Sequence, residues 1–193
     1  MNENATEFVS RLTMTRDGPD ALRMPGEKIM TADTAYEWRK GLRNHGTCLV
    51  FTNGCFDLLH RGHVEYLFQA RRVGGALMVA VNSDASIRRI KGPDRPIIEQ
   101  QDRVFMLASL EAVDAVVVFE EDTALQTIAA IQPDIYVKGG DYTADTINQQ
   151  ERRLVQSMGC RIVLVPEVQG FSTTALVGRI RRTENRVEKD TGE

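Results

Sequence analysis

The chain has 193 residues, which at ~100–200 residues per domain makes one domain and leaves no room for a second catalytic one. Its 24 Lys and Arg against 27 Asp and Glu give a net charge of −3 and a pI near 5.7, so no broad basic surface for nucleic acid is implied and any bound anion must meet a local site. A hydrophobic share of 42% supplies a core and excludes disorder of the whole chain.

The longest purely apolar run, Ala76–Val81, is far short of the ~20 residues of a membrane span, and Glu3, Glu7, Asp17 and Asp20 argue against a secretory segment. A cytoplasmic protein without membrane contact is expected. Cys48, Cys55 and Cys160 form no CxxC pair, so neither a disulfide framework nor a structural zinc site is indicated, and Cys48 and Cys160 read as small core residues.

Residues 1–28 show no sustained period and read as a mobile extension. A first helix over 29–46 is announced by Thr34 with Glu37 three residues on, a capping-box spacing, with Gly46 as its stop. Cys48–Asn53 then reads as a buried strand, and His63, Tyr66, Leu67, Ala70 and Val73 recur at helical spacing up to Gly74. Leu77–Asn82 is a second strand, Ser83–Pro96 a polar stretch, and Glu99–Glu111 a helix. Strands over Ala115–Phe119, Ile135–Lys138 and Arg161–Val165 alternate with helices over Thr123–Ile131 and Thr146–Met158, and a last helix covers Thr173–Arg182. Continuous apolar strands alternating with helices predict an α/β fold: a doubly wound, Rossmann-like, parallel five-stranded sheet over residues 47–182, followed by a polar tail over 183–193. Ligands of such sheets bind beyond the carboxyl ends of the strands, near the switch in strand order.

No G-x-G-x-x-G opens the first helix of this domain and no G-x-x-x-x-G-K-[ST] occurs, so dinucleotide oxidoreductases and P-loop NTPases lose their main sequence support. The strongest signal is Asn53-Gly54-Cys55-Phe56-Asp57-Leu58-Leu59-His60-Arg61-Gly62-His63. Gly54 lets backbone amides approach a ligand, and His60 and His63 flank a glycine at a helix start, where N–H groups and the dipole attract anions. Two other readings stay open: ordinary helix-start residues, or a metal held by Cys55, His60 and His63, for which no fourth ligand is evident.

The block TNGCFDLLHRGH resembles the first signature of the cytidylyltransferase-like nucleotidyltransferases, whose H-x-G-H histidines contact the nucleotide triphosphate. The resemblance runs along most of residues 48–182. Val81–Ile97, the helix opened by Asp102-Arg103, Phe119–Thr123, Val137–Tyr142 and Phe171–Leu176 look closest to the adenylyltransferase domain of ADP-heptose synthesis, and at this length the free-standing form is expected. Related glycerol-phosphate cytidylyltransferases carry Arg-Thr-Glu-Gly before the Ser-Thr-Thr turn, where this chain has Glu167-Val168-Gln169-Gly170.

The resemblance implies transfer of adenylate from ATP to D-glycero-β-D-manno-heptose 1-phosphate, with a cytidylyltransferase or another transferase acting on a different phosphorylated sugar or alcohol as the alternative. A non-catalytic nucleotide-binding regulator is a third reading. His60, His63 and Lys91 would be catalytic, Lys91 lying in the basic run Arg88, Arg89, Lys91, Arg95, where Arg88 or Arg89 could share its task. Asn53, Gly54, Cys55, Phe56, Lys138, Gly139, Asp141, Gly170, Ser172, Thr173 and Thr174 would bind the nucleotide. Lys138 would face a phosphate while Gly139-Gly140 turn the chain at the ligand edge, and Ser172 would also cap the last helix. Arg103 could bind phosphate or pair with an acid, and Thr143–Cys160 receives no sugar contact. Mg2+ is expected with ATP, with no protein ligands identified, and the family resemblance implies a homodimer.

Overall fold

The computed structural model describes residues 23–140, 143, 145–166, 170, 171, 173, 176–180 and 182. In chain order the elements are α1 (Pro25–Lys28), β1 (Ile29–Met30), α2 (Ala32–Asn44), β2 (Leu49–Gly54), α3 (Arg61–Arg72), β3 (Ala76–Asn82), α4 (Asp84–Lys91), α5 (Gln100–Ala108), β4 (Ala115–Phe119), α6 (Leu125–Ile131), β5 (Ile135–Gly140), α7 (Gln149–Ser157) and β6 (Arg161–Pro166). All strand pairs are parallel, in the order β1-β4-β3-β2-β5-β6.

The central strand shows why this sequence takes this form. All seven residues of β3 are buried, as expected for a strand covered on both faces. Ala76, Met78 and Ala80 enter a core layer with Ala35, Ile128 and Val155 from α2, α6 and α7, whereas Leu77, Val79 and Val81 enter the opposite layer with Leu67 of α3 and Leu107 of α5. Two aspartates start the ladder at its amino end. Asp114 accepts from the Leu77 amide at 2.8 Å and Asp134 from the Leu49 amide at 2.7 Å. Arg71 and Arg39 pair with these carboxylates at 2.8 and 2.7 Å. Burial pushes the Asp134 carboxyl up, but Arg39 and the Leu49 amide outweigh it and hold it below the ordinary value.

The five expected strands are all present, and the two-residue β1 adds a sixth at the edge, paired to β4. It was invisible as a strand because two residues carry no alternation. Order also reaches into the expected extension: Pro25–Lys28 is helical, and the buried Lys28 donates to the Leu110 carbonyl at 3.0 Å. Residues 1–22 and 183–193 lie outside the described residues. The cap of α2 is Thr31, which accepts from the Thr34 amide, one turn before the expected Thr34 and Glu37. The polar stretch after β3 contains α4, capped by Ser83, so Lys91 ends a helix and does not sit in a loop. Strand β5 continues through Gly139 and Gly140, paired with Val165 and Pro166, so the glycines are strand residues and not a turn. Residues 173, 176–180 and 182 are helical, in the region of the expected last helix.

Strands β3 and β4 follow β2 on one side, while β5 and β6 lie on its other side. The switch in order therefore falls between β2 and β5, whose carboxyl ends are Asn53-Gly54 and Lys138-Gly139-Gly140. Among the described residues, no helix is long and apolar enough to cross a membrane.

Candidate active site

A cavity of about 170 Å³ opens at this switch point. Asn53, Gly54, Cys55 and Phe56 form its floor after β2, His63 enters from α3, Lys91 from the end of α4, Lys138 and Gly139 from β5, and Thr173 from the segment after β6. The structure thus brings nine of the expected site residues together. His60 is not in the lining but packs its ring on that of His63, with centroids 3.9 Å apart and planes 22° from parallel. Gly170 is described but does not reach the cavity, and Asp141, Ser172 and Thr174 lie outside the described residues.

The histidine wall is set by a strained turn. Phe56 has φ +48, the left-handed region that a bulky side chain rarely enters, and its buried ring lies 5.4 Å from that of His63. His60 is the N-cap of α3 without a side-chain capping bond, and no acidic residue occupies the first turn. The positive end of the α3 dipole is left uncompensated by side chains of its own first turn. His63 Nδ1 is buried and meets no hydrogen-bond partner. Burial pushes the His63 imidazole down, the neighbouring His60 adds to this, the Leu58 carbonyl opposes it and Lys91 lowers it further, to about 4. His63 is therefore neutral near pH 7, and negative charge brought close to the ring would favour its taking up a proton.

Tyr66 fixes the floor. Its hydroxyl lies 2.6 Å from the Thr52 hydroxyl and donates to the Val137 carbonyl at 3.1 Å, bridging β2 and β5. A Cβ on Gly139 would stand 2.2 Å from the Tyr66 ring, so only glycine lets β5 pass here.

The basic run separates into different tasks. Arg89 turns away, donating to Asp122 at 2.7 Å and to the Glu120 carbonyl, and Lys91 alone of the run lines the cavity. Arg95 donates to the buried Asp57 at 2.7 Å, and Asp57 also accepts from the amides of Ile97 and Ile98. Burial raises the Asp57 carboxyl, yet Arg95 and the two amides prevail and keep it low. Asp57 thus ties the segment after Lys91 to the histidine turn. Arg103 is fully buried and donates to the carbonyls of Ile98, Cys55 and Asn82 and to Asp84, so it pairs with an acid and organises loops.

Lys138 does not simply face outward. Its Nζ donates to the Asn53 carbonyl at 3.3 Å and stands 3.6 Å from the buried Glu151. Sequence reasoning missed Asp57, Tyr66 and Glu151. Asp57 lay inside the recognised block, Tyr66 read only as a position on the helix face, and Glu151 carries no local signal because its partner Asn53 is 98 residues away. Among the described residues no group of three His, Cys, Asp or Glu is placed to hold a metal ion.

The Cytidylyltransferase-like family model matches residues 51–184. The chain is 55% identical over 138 residues to the bifunctional protein HldE of Syntrophotalea carbinolica, covering 72% of this chain and 28% of that protein. It is 43% identical over 187 residues to the bifunctional protein HldE of Rhodopseudomonas palustris, covering 96% and 38%. The chain thus spans about a third of the length of the curated relatives it matches. The lipopolysaccharide core biosynthesis protein from Thermoplasma volcanium superposes with a TM-score of 0.53 at 28% identity, covering 64% of this chain and 98% of that one. A pantoate-beta-alanine ligase from Francisella tularensis, at 14% identity and TM-score 0.53 over 76% of this chain and 74% of that one, shares the fold. With its histidine turn at the switch point and the family match running over most of its length, the chain belongs to the cytidylyltransferase-like family.

Proposed function

We propose that the chain is an adenylyltransferase that joins ATP and D-glycero-β-D-manno-heptose 1-phosphate, giving ADP-heptose and pyrophosphate. Similarity to the HldE proteins, whose C-terminal domain is the heptose 1-phosphate adenylyltransferase, supports the substrate pair. The observation that carries the chemistry is the placing of His63, near the start of α3, in the lining of a cavity that Lys91 and Lys138 also line.

A phosphate oxygen of the sugar phosphate attacks the α-phosphorus of ATP. A new P–O bond forms as the bond to the β-phosphate oxygen breaks, and pyrophosphate leaves with the electron pair. The attacking oxygen is already anionic near neutral pH, so no protein nucleophile is required. The protein's work is to align the two phosphates and to stabilise charge on the α-phosphate and the leaving group. His60 and His63 donate to the phosphates, Lys91 neutralises charge as the transition state forms, and Lys138 and the Ser172-Thr173-Thr174 hydroxyls bind the triphosphate. Asn53–Phe56, Gly139, Asp141 and Gly170 complete the nucleotide site. Magnesium enters with ATP and offsets the charge of its phosphate oxygens; we assign it no side chain of this chain. Use of ATP supports a cytoplasmic location, and family resemblance supports a homodimer, which light scattering of the purified chain tests.

The deciding experiment measures pyrophosphate release with ATP, CTP and GTP against the heptose 1-phosphate anomers and several other phosphorylated sugars and alcohols. Release is expected with ATP and the β-heptose 1-phosphate. No release with that pair, or faster release with CTP and another acceptor, overturns the reading.

A further inference from the structure

Glu151 sits on α7, in a segment to which the reaction above gives no role, with 2% of its surface exposed. Both oxygens are engaged. Oε1 accepts from the Ala124 amide at 2.8 Å and from Asn53 Nδ2 at 3.2 Å. Oε2 accepts from the Tyr136 hydroxyl at 2.5 Å and faces Lys138 Nζ at 3.6 Å. The Tyr136 hydroxyl has one proton, and the 2.5 Å contact takes it in preference to Asn53 Oδ1 at 3.3 Å.

A carboxylate this deep is costly to bury and persists only where partners satisfy it. What the carboxylate does that an apolar group cannot is hold a cation and an amide at once. Both are cavity residues: Lys138 and Asn53 line the pocket, and Lys138 Nζ also donates to the Asn53 carbonyl. Burial holds the Lys138 ammonium below its ordinary value, and Glu151, with a smaller contribution from Cys55 after β2, opposes this.

We propose that Glu151 is a positioning residue for the nucleotide, holding Lys138 charged and Asn53 oriented so that both meet the triphosphate across the switch point. The inference rests on the assignment of this cavity to a nucleotide triphosphate. Glu151 is not among the lining residues, so its effect on the nucleotide runs through Lys138 and Asn53, while its bonds to the Ala124 amide and the Tyr136 hydroxyl serve the fold.

The test uses the full chain carrying Glu151→Gln, Lys138→Met or both, with ATP affinity read by calorimetry and kcat and KM read for each substrate. Glu151→Gln is expected to weaken ATP binding by roughly 10–50-fold, the scale of one charged hydrogen-bonded contact, while KM for the sugar phosphate moves less than about twofold. In the Lys138→Met background the same change is expected to weaken ATP by less than about threefold, because the cation it serves is gone. Glu151→Asp, which keeps the charge but withdraws it by one methylene, gives an intermediate ATP affinity and stands in if the glutamine variant fails to fold. Multiplicative losses in the double variant, or equal loss for both substrates, overturn the proposal in favour of a purely structural carboxylate. If the unaltered chain binds ATP but releases no pyrophosphate with any acceptor, the proposed reaction falls and the binding cycle still decides Glu151. Failure of the unaltered chain to bind ATP sinks both.

Discussion

On the α3 wall of the cavity, His63 carries a buried ring nitrogen with no hydrogen-bond partner, whereas on the β5 wall both oxygens of the buried Glu151 are taken up by protein groups. The first wall keeps an unsatisfied polar atom, and the second is closed by the fold. An unsatisfied buried nitrogen costs stability, so its retention fits a role in the proposed reaction, while a closed network is satisfied without ligand. Changes on the histidine wall should therefore cost activity and spare stability. Changes on the lysine wall should cost both.

The sharpest separation is expected from His63→Ala. Loss of one transition-state donor lowers kcat by about 10²–10³-fold, with denaturant unfolding at pH 7 moving by less than about 1 kcal/mol. A variant that keeps kcat within tenfold breaks the comparison. Lys138→Met should do the opposite to stability, since it leaves Glu151 buried without its cation, and a loss of about 3 kcal/mol in urea unfolding is expected. Gly139→Ala drives a methyl into the Tyr66 ring and should destabilise by about 1–3 kcal/mol, visible as a lower Tm, even though no polar group is removed.

The smallest effect is a pH dependence. An unfolded His63 takes up its proton near 6.5 and the folded one only near 4, so between these values the unfolded state binds more protons. Stability contributed above 6.5 is lost as the pH falls through this window, by an amount on the order of 1 kcal/mol for this half-buried ring. Unfolding curves at pH 7 and 4.5 should draw together in His63→Ala. Added pyrophosphate should draw them together in the unaltered chain, by raising the imidazole back towards its ordinary value.

Much of this was legible before the structure. Asn53-Gly54 and His60-x-x-His63 carry their message in local spacing, and the alternation of apolar strands with helices was enough to bring both to a strand end. Residues whose role comes from distant partners were not legible. Glu151 looks like any helix-start acid, and nothing near it in sequence says that Asn53 and Ala124 close on it. Ser83–Pro96 reads only as a polar stretch because α4 is short and strongly basic, so its helical period is masked by charge, although Ser83 accepting from the Ser86 amide caps it in the ordinary way. Gly139-Gly140 suggested a turn by composition, whereas the Tyr66 ring explains the first glycine: strand β5 runs straight on beneath an aromatic that leaves no room for a side chain.

The separation of 98 positions from Asn53 to Glu151 bears on how the protein is made. Synthesis proceeds from the amino end, so the histidine turn and strands β1 to β4 emerge before the rest, and β3 and β4 can each pair with the strand made just before it. Strand β5 must then return to the open edge of β2, and α7 must follow before Lys138 meets its carboxylate. A nascent chain halted before α7 would own the histidines yet lack the anchored cation. The lysine wall is thus completed late in translation, after the histidine turn and its flank have formed, and a nucleotide bound as proposed would be a ligand of the finished chain and not a template for its folding.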